Sequence, residues 1–206
     1  KQLAIENGQE LSVCVVEKGS EVGAHILSGA VFETRSLDEL FPDWHSKGAP
    51  LNTPVTQDKT CYLTSEQKGY QLPDWMVPKT MHNNGNYIIS LGNLCRWLAE
   101  QAEELGVEIY SGFSANQPII NAENRVCGVI TGDMGLDKSG ERKPNFEPGV
   151  ELRAKFTLFS EGARGHIGKQ LIKKYNLAEN SSTKHYAIGF KELWQIPPEQ
   201  HQQGLV

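Results

Sequence analysis

Glu17 and Glu161 stand where an apolar strand would deliver an acid to a glycine-rich turn, the setting in which a carboxylate meets a dinucleotide. Val13 to Val16 is an apolar run that ends on Glu17, and Lys18, Gly19 and Gly23 follow. In a nucleotide-binding βαβ unit such a strand is buried on both faces, and the acid at its end takes both ribose hydroxyls. Charge-assisted hydrogen bonds of this type contribute roughly 1.5 to 3 kcal/mol each, enough to orient the adenosine half. An ordinary strand ending on a solvated Glu is the competing reading. The second setting is Lys155-Phe-Thr-Leu-Phe-Ser-Glu-Gly-Ala-Arg-Gly165, followed by HIGKQLIKKYNL. There a buried strand brings Glu161 and two glycines to a helix start, so the acid can accept from ribityl hydroxyls while helix amides meet a pyrophosphate.

The elements between the two acids have to position them. Leu3 to Ile5 reads as the last turn of a helix entering the first strand. His25-Ile-Leu-Ser-Gly-Ala30 is small and polar, and Gly29 permits a close backbone approach to a ligand. Leu37 to Trp44 reads as a helical turn ended by Pro42, and residues 51–64 as extended structure with turns. After a short strand, Tyr87 to Ile89, the residues Leu91, Leu94, Leu98, Ala102 and Leu105 recur at helical spacing, with Ser90 as N-cap and Gly106 as C-terminal cap. Gly92 and Asn93 leave the first turn uncluttered, so its amides suit a phosphate, with a plain capped helix as the alternative. Val107 to Tyr110 resumes as a strand. Pro118 to Asn121, Arg125 to Thr131 and Glu151 to Phe159 then alternate as an antiparallel meander around a polar surface loop, 132–150.

Residues 70–81, YQLPDWMVPKTM, set large apolar groups between two prolines, which disfavours a helix and places them on a loop or hairpin. Such a loop either folds back on its own core or anchors at a membrane surface through Tyr70, Leu72, Trp75, Met76 and Val77, with Lys79 toward lipid phosphates. A net charge of −5 and the lack of a Lys/Arg cluster disfavour nucleic acid, and no apolar run reaches the ~18 residues that span a bilayer. Cys14, Cys61, Cys95 and Cys127 are widely spaced, which argues for buried or free thiols in a reducing compartment and against a metal or iron–sulfur site in this segment. No GxGxxG turn precedes Glu17 and there is no initiator Met, so the chain reads as an internal fragment. His25 and His82 read as structural residues.

The stretches VCVVEKGSEVGAHILSGA, LFPDWHSKGAPLNTPVTQDK, NNGNYIISLGNLCRWLAEQAEELGVEIYSGF, TGDMG, TLFSEGARG and GFKELW together resemble the electron-transfer flavoprotein:ubiquinone oxidoreductase family, end to end. The resemblance implies an α/β (α+β) chain with an FAD-binding Rossmann-like fold of the glutathione-reductase/hydroxylase type. Residues 1–183 would be a partial FAD-binding domain, with an apolar loop at 61–85, and 184–206 the start of an inserted ubiquinone-binding domain. By position Glu17 and Lys18 resemble the ribose acid and its neighbour. Leu27, Ser28 and Gly29 resemble the flavin-side segment, and Glu161, Gly162, Arg164 and Gly165 the second flavin motif. Position 90, where the wider fold commonly has an Arg, carries Ser90. The family further implies a 4Fe-4S cluster outside this segment, and electron-transfer flavoprotein, ubiquinone and a peripheral membrane surface as partners. Its setting would be the bacterial cytoplasmic membrane or the mitochondrial inner membrane. No catalytic acid or base is demanded, since electron transfer needs a positioned and tuned cofactor. An NAD(P)H-dependent reductase or hydroxylase of the same fold, such as the geranylgeranyl-reductase type, and a non-catalytic membrane-surface ligand-binding module are the competing functions.

Overall fold

The computed structural model describes residues 1–26, 29–183 and 185–206. The helices are α1 (Gln2–Glu6), α2 (Arg35–Leu40), α3 (Leu91–Glu104) and α4 (His166–Lys174). The first six strands are β1 (Cys14–Glu17), β2 (Ala30–Phe32), β3 (Thr53–Pro54), β4 (Cys61–Ser65), β5 (Lys68–Gln71) and β6 (Tyr87–Ile89). The rest are β7 (Glu108–Ser111), β8 (Ala115–Ile120), β9 (Val126–Thr131), β10 (Met134–Leu136), β11 (Arg142–Glu147) and β12 (Glu151–Arg153). The mixed α and β composition expected from the sequence is observed. The chain divides into two compact units, Lys1–Glu21 with Gly106–Gly189, and Val22–Leu105 with Phe190–Val206. Residues 190–206 thus pack with 22–105.

In the first unit β1 pairs in parallel with β7, from Cys14↔Glu108 to Glu17↔Ser111. The meander forms as read, in the order β12-β9-β8. Its apolar side is closed by α4, whose Ile167 is fully buried beside Leu171 and Val129. The polar loop 132–150 is more ordered than a surface loop, since β10 and β11 close it into an antiparallel hairpin. At Gly135 (φ +70°) a Cβ would lie 2.4 Å from the Asn145 carbonyl oxygen, so only glycine admits this approach. Asp137 organises the hairpin turn by accepting from the Ser139 N–H and Oγ–H and from the Glu141 N–H, and these bonds hold its carboxyl below the ordinary value.

Two strand expectations are corrected. The run into Glu17 was read as buried on both faces, yet Cys14 and Val15, neighbours that point to opposite faces of the strand, are both exposed, so among the described residues neither face is covered there. The strand read from Glu151 to Phe159 stops at Arg153. Its partner β9 begins at Val126, and after the Ala154 N–H has bonded to the Cys127 carbonyl (3.0 Å) the ladder has run out. Phe156 and Leu158 are consequently 86% and 87% exposed.

The second unit is built on the three-stranded sheet β2-β6-β3, all antiparallel. Strand β2 was not anticipated; three residues, Ala30-Val-Phe32, are too few for alternation to register. The core joins Leu37, Trp44, Ala49, Leu51 and Ile89 to Leu94 and Trp97 of α3. Both buried indoles are satisfied: Trp44 Nε1–H donates to Asp38 (2.7 Å) and Trp97 Nε1–H to the Lys47 carbonyl (3.0 Å). The strand–helix–strand reading of 87–110 holds for the elements but not for one sheet, since β6 pairs with β2 and β3 while β7 pairs with β1. The C-terminal residues return to the sheet side of the unit, where the Thr56 N–H donates to the Gly204 carbonyl (2.9 Å) and the Val206 N–H to that of Gln57 (2.9 Å).

Because Leu94 is 2% exposed, Leu94→Ala should lower stability by about 2 to 5 kcal/mol in urea unfolding, the range for buried Leu truncations. Val15→Ala, at an exposed position of β1, should stay within roughly 0.5 kcal/mol of the parent, as exposed substitutions do.

Candidate functional site

Glu17 is positioned by the β1/β7 ladder. Its turn is tied down twice: the Gly112 N–H beyond β7 donates to the Gly19 carbonyl (2.7 Å), and the Gly19 N–H donates to Glu17 Oε1 (2.5 Å). The acid is half-buried with its carboxylate turned back over its own turn, and Lys18 beside it is exposed. Glu161 lies in the same unit, in the connection after β12 that leads into α4. Both of its oxygens are occupied, Oε1 by the Ile167 N–H (3.0 Å) and Oε2 by the Gly168 N–H (2.7 Å). The acid and the helix amides, expected to engage two parts of one ligand, are bonded to each other. Two glycines make room for this. A Cβ at Gly165 would lie 2.6 Å from Glu161 Cβ, and Gly162 turns the chain at φ +76°. The Arg164 guanidinium lies over the Tyr186 ring at 5.9 Å.

Gly29 and Ser90 belong to the second unit. Gly29 has φ +91° and nothing within 4 Å of where a Cβ would stand, and its carbonyl accepts from Lys191 Nζ (2.9 Å), a long-range tie that no sequence motif announced. Leu27 and Ser28 fall outside the described residues. Ser90 caps α3 as read, its Oγ accepting from the Asn93 N–H at 3.4 Å. Loop 22–26 presses on the same turn, since a Cβ at Gly23 (φ +84°) would lie 2.9 Å from the Gly92 carbonyl oxygen.

The apolar loop is a hairpin, β4/β5, followed by 3-10 turns at Asp74–Met76 and Lys79–Met81. Trp75 is 83% exposed and Tyr70 65%; Met76 is also exposed, while Leu72 and Val77 are half-buried. Tyr62, Leu63 and Met81 are exposed as well and were missed; Tyr62 and Leu63, consecutive on β4, point to opposite faces of a two-stranded hairpin whose β4 residues are all exposed. The base of the loop is fastened by Asp58, which accepts from the Asn83 side-chain amide (2.9 Å) and backbone N–H (2.8 Å). His82 is structural as read, its Nε2 lying 3.1 Å from the Val77 carbonyl oxygen.

Two open depressions lie elsewhere, one of about 450 Å³ lined by Glu33, Arg35, Asp38 and Asn84–Asn86, the other of about 410 Å³ lined by Asn116–Pro118, His166 and Lys174. Among the described residues no group of His, Cys, Asp and Glu is arranged to hold a metal ion, and no helix is long and apolar enough to cross a membrane.

Two outcomes test this geometry. Glu161→Ala should destabilise by about 0.5 to 2 kcal/mol, as loss of a helix cap does, with faster amide exchange at Ile167 and Gly168. The Asn83 hydrogen bonds, side chain first, hold the Asp58 carboxyl below its ordinary value, so its contribution is present above that value and is lost as the pH falls through the lowered one. Proteolysis within 72–82 should therefore accelerate as the pH drops below about 3.9, and Asp58→Asn should weaken that dependence.

No protein-family model matches the chain. A Thermovibrio ammonificans THI4 crystal structure aligns with a TM-score of 0.44 at 13% identity, covering 80% of this chain and 53% of that one. Among curated proteins, the electron transfer flavoprotein-ubiquinone oxidoreductase of Pseudomonas aeruginosa is 64% identical over 207 aligned positions, covering all of this chain and 38% of that protein. The mitochondrial proteins of the same name from Dictyostelium discoideum and Bos taurus are 52% and 47% identical, again across all of this chain and over 33% of their own lengths. The chain thus spans between 33% and 38% of the length of these relatives, and from its first residue to its last it is similar to a segment of the electron transfer flavoprotein-ubiquinone oxidoreductases, bacterial and mitochondrial alike.

Proposed function

We propose that this chain is part of the FAD-binding portion of an oxidoreductase that carries electrons from reduced electron-transfer flavoprotein to ubiquinone at a membrane surface. The observation that carries the reading is overall identity of 47 to 64% in alignments that cover the whole chain. The fold proposed for the complete protein is of the Rossmann-like glutathione-reductase/hydroxylase type, with 1–183 in the FAD-binding domain and 184–206 opening the ubiquinone-binding domain.

The residues present fit a dinucleotide. Each unit taken by itself offers part of this: in the first, Glu17 keeps Oε2 available beside a close glycine turn, and in the second, Gly29 leaves open space where a Cβ would stand and α3 starts on a hydroxyl and a glycine. FAD, when bound, supplies the redox chemistry by accepting electrons and releasing them to an acceptor. In this reading Glu17 holds the ribose, with Lys18 beside it, and Leu27, Ser28 and Gly29 run past the flavin. Ser90 serves the phosphates, while Glu161, Gly162, Arg164 and Gly165 form the second flavin contact. Because the α4 amides already hold both Glu161 oxygens, ligand binding there exchanges one set of hydrogen bonds for another. The 4Fe-4S cluster of the complete protein lies outside this segment.

The exposed apolar hairpin supports attachment to a membrane surface, bacterial cytoplasmic or mitochondrial inner. Tyr70, Leu72, Trp75, Met76 and Val77 are the proposed contacts, and an aromatic exposed to this degree suits the headgroup level. No basic surface for nucleic acid is proposed.

The full-length protein, purified in detergent, should show flavin bands near roughly 370 and 450 nm over a broad iron–sulfur background, as expected of a protein with both cofactors. It should oxidise reduced electron-transfer flavoprotein with a quinone and should not oxidise NAD(P)H. Flavin without a cluster, together with NAD(P)H turnover, would move the assignment to a reductase or hydroxylase. Trp75→Ser with Met76→Ser should reduce co-sedimentation with liposomes, and unchanged binding would remove the hairpin from the membrane contact.

A further inference from the structure

The chain contains two Asn-Gly pairs, Asn7-Gly8 and Asn84-Gly85, and all four residues are exposed. Asn is a labile residue, and Asn before Gly most of all: glycine puts no side chain in the way of its own amide nitrogen and tolerates the backbone angles that a ring closing onto the Asn side chain requires. The two pairs differ in how those atoms are engaged. Asn7 closes α1, where its Nδ2 donates to the Leu3 carbonyl (2.8 Å) and the Gly8 N–H donates to that of Ile5 (3.0 Å). Electrophile and nucleophile are both committed. At the second pair, among the described residues, neither is: the Asn84 side chain has no hydrogen-bond partner, and neither has the Gly85 N–H.

The flanks of that second pair are held. Asn83 is fastened to Asp58 through its side-chain amide (2.9 Å) and its N–H (2.8 Å), and the Asn86 carbonyl accepts from the Val55 N–H (2.9 Å). The turn between them is closed by the Asn86 N–H on the Asn83 carbonyl (3.0 Å), with Gly85 at φ +85° in the third position, the type II pattern. Nothing lies within 4 Å of where a Cβ on Gly85 would stand. The Gly85 nitrogen is therefore approachable, and rotation of Asn84 toward it is opposed by that one turn bond.

We propose that Asn84 is a site of non-enzymatic modification, cyclising onto Gly85 and reopening as aspartyl and isoaspartyl. The Gly85 nitrogen attacks Asn84 Cγ and forms a C–N bond. The Cγ–Nδ2 bond breaks, and Nδ2 leaves as ammonia with the proton from the Gly85 nitrogen. Water then adds to either carbonyl of the succinimide and opens it, so the step consumes water alone and needs no oxidant or reductant. A carboxylate now stands in place of an amide. Asn84 lines the 450 Å³ depression with Glu33, Asp38 and Glu39, where Arg35 is already paired with Glu33 at 3.5 Å, so the modification adds to an acidic lining. The isoaspartyl form also lengthens the backbone of the turn that leads into β6.

The test incubates the full-length protein at physiological temperature and pH. Isoaspartate is located by peptide mass spectrometry and by labelling with an isoaspartyl-specific methyltransferase. Product should form at Asn84 roughly tenfold or more faster than at Asn7, the scale on which two hydrogen bonds keep a reactive pair closed. In guanidinium the two sites should react at comparable rates, because each is then an unstructured Asn-Gly. Asn84→Gln should remove the signal from folded protein and leave the melting temperature unchanged. Equal rates at the two sites of the folded protein would overturn the proposal, as would a folded Asn84 that stays intact while the unfolded one reacts. A preference for Asn84 that persists undiminished in guanidinium would overturn it too, since neighbouring sequence and not the fold would then set the rate.

Discussion

The burial of one face of α3 is the interaction on which the second unit depends. Leu94 and Trp97 meet Leu37, Trp44, Leu51 and Ile89 in a single core, and each fully buried side chain of this kind contributes roughly 1.5 to 3 kcal/mol. The helix cannot rotate without exposing that face or breaking the bond from the Trp97 indole to Lys47. Ser90, Gly92, Asn93 and Arg96 therefore stay fixed relative to β6, which runs directly into the helix cap. The shape of the first turn is thus set by packing on the opposite side of the helix.

The two acids show how a carboxylate is held by backbone amides. Glu17 accepts a backbone amide from its own glycine turn, and Glu161 accepts two from the first turn of α4. They differ in what remains. Glu17 commits one oxygen to Gly19, whereas Glu161 commits both to the start of α4. Gly165 is the reason the second arrangement is sterically possible, since a Cβ there would overlap the Glu161 side chain. The same glycines that suit a close ligand approach also suit a close approach by the protein's own carboxylate.

The apolar hairpin follows a different logic. Leu72 and Val77 turn partly inward and Asp58 fastens the far end, so Trp75 and Met76 between them are held outward by a braced loop. Prolines at 73 and 78 each lead into a 3-10 turn and prevent a longer helix that would draw those side chains onto the core. A rigid loop that presents large apolar groups loses little conformational entropy when they are covered.

The residues alone determined the helix at 91–104 with its Ser90 cap, the meander, the acid-bearing turns and the apolar loop, because each rests on local periodicity, capping or proline chemistry. Tertiary structure decided the rest. It placed β6 and β7 in different sheets, left Cys14 and Val15 of β1 exposed on opposite faces, and ended the strand after Arg153 where its partner β9 ran out. It closed the β10/β11 hairpin inside a loop whose polarity had hidden it, and it turned Arg96 back toward Gly92. Whether a strand continues, which of its faces is buried and where a long side chain points all depend on partners distant in sequence, and local pattern carries no record of them.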